Sequence, residues 1–148
     1  MTIQDLGSIG EVVAAIATVA TLAYLAVQIR QNTRSLRANA YQESVRFANE
    51  WAALFVHHPE TVALFQKGLS DPEALNSSDT VEFAHILETF LRNYTTARTL
   101  ARDGLLPQSV CALYENSLRR WFSSPKLREW WKKRSPGWDQ FIDPLLSA

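Results

Sequence analysis

The sequence predicts an all-α protein in which a single N-terminal transmembrane helix continues into a small cytoplasmic helical bundle. Three observations carry this. Val12 to Ile29 reads VVAAIATVATLAYLAVQI, without one charged side chain. Beyond Ile29, apolar residues recur at helical spacing between short loops. The punctuation also suits helices: five glycines in 148 residues, prolines at segment boundaries and no Asn-Gly dipeptide. The organisation that follows is a tail and span over 1–29 and a helical domain over 30–148, without internal repeat or low-complexity tract.

The charge-free run is long enough to cross a membrane. At about 1.5 Å rise per residue it reaches roughly 27 Å, close to a hydrocarbon core of about 30 Å. It is not strongly apolar, because it holds six alanines, Thr18, Thr21, Tyr24 and Gln28. A core helix of a soluble bundle is the competing reading. The span is favoured, since a core helix of this length usually carries charge on one face. A cleaved signal peptide fits less well, as the N-terminal end has Asp5 and Glu11 and no basic side chain. Arg30, Arg34 and Arg37 crowd the other end. The positive-inside rule then puts the N-terminus outside and everything after Ile29 in the cytoplasm. Cys111 is the only cysteine, so no intramolecular disulfide framework exists. It shares a helical stripe with Tyr114, Leu118 and Trp121, where a buried thiol is the ordinary case.

Small residues line one stripe of the run: Gly7, Gly10, Ala14, Ala17 and Thr21, spaced three, four, three and four. Small side chains let two helix backbones approach closely in lipid, which suggests self-association through Gly10, Ala14, Ala17 and Thr21. An alanine-rich helix has small residues on several faces, so chance is the competing account, and self-association is favoured over it.

The segment Leu6–Gln42, LGSIGEVVAAIATVATLAYLAVQIRQNTRSLRANAYQ, resembles the opening of a widespread group of short, uncharacterised bacterial single-pass membrane proteins. They share a GSIGE entry and a YLAxQIRQNT exit. Pro59–Glu60 and the REWW run at Arg128–Trp131 are also similar to that group. The resemblance implies the bacterial inner membrane, one span and a helical cytoplasmic body. It implies no activity and no site residues.

Along the body, the first helix is expected to run out of the span to about His57, with Leu36, Ala40, Phe47, Trp51 and Leu54 on one face. Pro59 breaks it. A short helix over Glu60–Lys67 is expected to end at Gly68 as a C′ glycine. Asp71-Pro72 restarts the chain briefly. Asp79, with Glu82 three residues on, suggests the cap of a long helix to about Arg102, whose stripe is Phe83, Leu87, Phe90, Tyr94, Ala97 and Ala101. Asp103-Gly104 closes it. Pro107 opens the next helix, to about Phe122, and Ser124-Pro125 and Ser135-Pro136 read as the starts of two short terminal helices. Helices alternating with short loops argue for an antiparallel bundle.

Charge totals cancel, with 15 basic and 15 acidic residues, but the distribution is uneven. Glu60–Glu88 carries six acids and one lysine. Arg119, Arg120, Lys126, Arg128, Lys132, Lys133 and Arg134 cluster around Trp121, Phe122, Trp130, Trp131 and Trp138. One reading is an acidic and a basic face attracting one another across the bundle, with the aromatics in the core. Another is a basic, Trp-rich surface against anionic lipid, each base contributing about 1 kcal/mol near the leaflet. Nucleic acid is a poor third, because no groove-reading motif accompanies the bases.

Catalytic signatures are missing. There is no Gly-rich phosphate loop, nucleophile elbow or Cys-His arrangement. Glu82 and His85 form one Glu-x-x-His, whereas a di-metal bundle needs two and further glutamates. No metal, no cofactor and no enzyme activity are therefore expected. The functional expectation is a membrane-anchored helical scaffold or regulatory module, homo-oligomeric, whose partners are membrane lipid and other protein. The alternative is a homo-oligomeric pore in which Thr18, Thr21 and Gln28 line a polar path.

Overall fold

A computed structural model describes residues 3–147, with the side chains of 3–6 and 8 excepted. Six α-helices follow one another: α1 (Ile3–His57), α2 (Pro59–Ser70), α3 (Ser77–Arg102), α4 (Gln108–Phe122), α5 (Pro125–Arg134) and α6 (Asp139–Ser147). A 3-10 turn, Pro72–Ala74, joins α2 to α3. The described residues contain no strand. The contacts divide into two units, Met1–Asn39 and Ala40–Ala148.

The first unit is the N-terminal part of α1. The second holds the rest of α1 and the bundle. Its helices α3 and α4 form an antiparallel hairpin, shown by Phe90 and Tyr94 both lying against Tyr114 while Phe90 also meets Trp121. The stripe expected on α3 is buried throughout, joined by Leu91. Cys111, Tyr114, Leu118 and Phe122 face it from α4, and α5 and α6 close the core with Leu127, Trp130, Trp131, Ile142 and Leu145.

The turn after α3 is a Schellman motif. Leu105 N donates to Leu100 O at 2.8 Å, Gly104 N donates to Ala101 O at 3.1 Å, and Gly104 has φ +72°. Two end carbonyls are thus satisfied by a residue without a Cβ penalty.

Four local expectations need correction. Gly68 does not end a helix. It lies inside α2, which runs on to Ser70, and it is a glycine because a Cβ there would come within 2.5 Å of Phe83 Cδ2. The glycine lets α2 and α3 approach closely. The cap of α3 is Asn76, whose Oδ1 accepts from Asp79 N at 2.8 Å. Asp79 sits instead in the first turn, where its charge suits the helix dipole. Ser135-Pro136 does not start the last helix. Gly137 reverses the chain at φ +105°, and Trp138 O accepts from Phe141 N and Ile142 N to open α6. Finally, Leu36 and Leu54 stay exposed, and Phe55 joins Phe47 and Trp51 as the face of α1 toward the core.

Gly68→Ala is therefore expected to destabilise the protein by about 2 kcal/mol, an overpacking cost at a ring that cannot retreat, since Phe83 is fully buried. Thermal unfolding of the full chain in detergent checks it. An unchanged midpoint would show that α2 and α3 can separate without loss.

Candidate functional site

The run Val12–Ile29 has no cover from its own chain. Every described residue from Ile9 to Ile29 is exposed, including Ile16 and Val19 at 65% and 66%. The helix is long and apolar enough to cross a membrane, and none of that apolar window is buried. A core helix would be covered by its neighbours, whereas this run is an uncovered candidate for a membrane span.

The polar side chains within the run are satisfied locally. Thr18 Oγ1 donates to Ala14 O at 2.9 Å and Thr21 Oγ1 to Ala17 O at 2.8 Å. Gln28 Nε2 donates to the Tyr24 hydroxyl at 3.0 Å, one turn back. Such back-bonding hides hydroxyls from a surrounding that offers no partner.

Gly7, Gly10, Ala14, Ala17 and Thr21 are all exposed. Adding a Cβ at Gly7 or Gly10 meets nothing within 4 Å. Glycine inside a helix costs about 1 kcal/mol relative to alanine. At Gly68 the fold explains that cost. At Gly7 and Gly10 nothing among the described residues does.

The basic segment divides between core and surface. Trp130 and Trp131 are buried, and Trp121 is half-buried against Trp51, Phe65 and Phe90. Trp138 packs on Phe141. These indoles do not form a surface layer, because the small bundle uses them to fill its core. Arg119 is half-buried, and Arg120, Lys126, Arg128, Lys132, Lys133 and Arg134 point into solvent. Lys126 reaches Asp71 at 3.4 Å and Lys133 reaches Glu73 at 3.6 Å, so the basic and acidic stretches do meet. Lys132 pairs with Asp139 at 3.8 Å, and the Arg134 guanidinium lies 5.6 Å from the Trp130 ring centroid. These pairs are solvent-exposed and each is worth at most about 1 kcal/mol.

A cleft of about 320 Å³ lies beside this segment, with Phe122, Trp131 and Ile142 as its floor and Arg128, Lys132 and Asp139 at its rim. Trp131 Nε1 is buried without a hydrogen-bond partner. Glu82 and His85 stand exposed on the outside of α3. Among the described residues no three metal-ligating side chains come together.

Buried titratable groups cluster where α3 meets α4. Tyr94 hydroxyl donates to Glu115 Oε1 at 3.3 Å. Burial first, and then the Glu115 charge, push the phenol up to about 12. Burial likewise raises the Cys111 thiol and the Tyr114 phenol. A raised thiol is a poor nucleophile at neutral pH, which agrees with the packing role expected for Cys111.

This chain matches no known family model, no curated protein and no solved structure.

Two outcomes are expected. Self-association through this stripe, the expectation from the sequence, predicts that Ala14→Ile and Ala17→Ile each separate the backbones and lower the oligomer mass in detergent. Unchanged mass in both would remove this stripe as a contact. Tyr94 favours its protonated form in the fold, so its stabilisation is complete below about pH 10 and is lost as pH rises toward about 12. Tyr94→Phe should flatten that alkaline decline in a pH series of unfolding midpoints. An identical decline in the variant would show that other groups control it.

Proposed function

We propose that the protein is a membrane-anchored helical module without catalytic activity, self-associating through its span and acting through protein contacts. One observation carries this reading. The charge-free run Val12–Ile29 of α1 stands wholly uncovered by its own chain, while the residues from Ala40 onward build an ordinary packed core. An apolar helix of that length is stable where lipid covers it. The unexplained glycines at Gly7 and Gly10 support close approach of a second helix.

The raised Tyr94, Cys111 and Tyr114 owe their shifts chiefly to burial in the core. That supports a structural role for them rather than a tuned reaction centre. The local bonds of Thr18, Thr21 and Gln28 favour an anchor over a pore, since a water-lined path would draw those groups outward. The arginines after Ile29 set the orientation, with the N-terminus outside the inner membrane of a bacterium and the bundle in the cytoplasm. The exposed bases of α4 and α5 add attraction to anionic lipid. With the indoles withdrawn into the core, that attraction is electrostatic and weakens with salt.

Cysteine labelling tests the topology. In a Cys111→Ala background, Ser8→Cys should react with an impermeant reagent on intact cells, and Ser77→Cys only after lysis. The reverse pattern would invert the orientation, and full recovery of the protein in the soluble fraction without detergent would remove the anchor.

A further inference from the structure

We propose that the part of α1 beyond the span pairs with the same segment of a second copy of this chain, parallel and in register, along Gln42, Val45, Asn49, Ala52 and Val56. The proposal rests on the anchored, self-associating reading above and extends the contact out of the membrane.

These five residues are spaced three, four, three and four, and all are exposed. Val45 and Val56 are 43% and 73% accessible although they belong to the unit with the packed core. None of the five is charged. The charges of this stretch lie beside the stripe and are engaged with one another: Arg46 pairs with Glu43 and, at 2.7 Å, with Glu50. At about 100° per residue, the stripe lies roughly 140° around the helix from Phe47, Trp51 and Phe55, the rings that meet the bundle. A second helix can therefore reach the stripe without displacing the bundle.

The spacing also has a sequence continuation. Counted back from Gln42 in the same alternation, the register passes Ala38 and Ser35 and arrives at Thr21, Ala17 and Ala14, without meeting a charged residue. One unbroken heptad pattern thus runs through the residues singled out for the span and those exposed beyond it.

The amides identify the occupant. Gln42 and Asn49 stand one heptad apart, at equivalent positions, with Val45 and Ala52 between and after them. An amide both donates and accepts, so it is satisfied by its own twin across a parallel, in-register pair. An antiparallel pairing sets it against Val45 or Ala52, and a one-heptad shift pairs one Asn49 with Gln42 but sets the other against Val56, so either leaves an amide unpaired. In the parallel register Arg46 comes opposite Tyr41 of the second copy, so no like charges oppose. Valine, alanine and two amides cover far less than the roughly 1,200 Å² of a stable interface. The pairing depends on copies held at high local concentration by a common membrane, which also orients them in parallel.

Oxidative cross-linking of the full chain in native membranes tests this, in a Cys111→Ala background. Cα atoms facing across such a pair lie within the disulfide reach of about 4.4–6.8 Å. Val45→Cys, Asn49→Cys and Ala52→Cys should each give dimer at about five-fold or more over Glu43→Cys and Leu54→Cys, which lie off the stripe. Asn49→Lys should suppress the Ala52→Cys dimer, and Asn49→Gln should retain it. Ala14→Cys reports separately on the span. Dimer at Ala14→Cys with none on the stripe would overturn this inference and leave the span contact standing. No dimer at any position would overturn both. Equal dimer on and off the stripe would mark random collision and overturn the inference as well.

Discussion

Trp51, Phe65, Phe90 and Trp121 come from four different helices, and their ring centroids lie 4.6 to 6.2 Å apart in every contact among them. This cluster is where α1 is held to the bundle. Phe47 extends it toward Tyr114 and Phe55 extends it toward Phe65. Each such ring pair adds about 0.5–1.5 kcal/mol beyond the area it buries, and the geometry is directional. The cluster sets which face of α1 turns inward, and so which face stays open to another molecule. Without it, α1 would have no preferred rotation against α2, α3 and α4.

The same cluster explains the fate of the C-terminal tryptophans. A bundle of little more than a hundred residues has few apolar side chains to spare. Trp121 is consumed by the contact with α1, and Trp130 and Trp131 fill the space between α5 and its neighbours. Their basic neighbours are left on the outside, where Lys126 and Lys133 find the acids at Asp71 and Glu73. Those exposed pairs align α5 with the turn before α3, but the aromatic core does the stabilising.

On α1 the exposed faces carry the functional argument. A small core can cover only one side of the helix from Ala40 onward, and none of the apolar window before it is buried. The glycines at Gly7 and Gly10 and the uncharged stripe through Val45 and Ala52 lie on surfaces that the chain itself leaves open. The two sets share one heptad spacing in sequence, and a partner along that spacing would explain both.

The sequence by itself determined the helical class, the end of α1 at His57, the end of α3 at Arg102, the extent of α4, and the buried stripe from Phe83 to Ala101. These follow from local causes: a 3.6-residue period, prolines that end or start helices, and a glycine free to take positive φ at Gly104. The attraction of the acidic and basic stretches was also legible, because their segregation along the chain is so marked. Only the tertiary structure decided that Gly68 is a point of close approach, that Asn76 rather than Asp79 caps α3, and that Phe55 turns inward while Leu54 does not. Only it decided that the indoles of α5 lie in the core. A glycine, a tryptophan or a leucine offers the same side chain to a neighbouring helix as to solvent or lipid. Which of these it meets depends on elements distant in sequence, and local pattern contains no record of them.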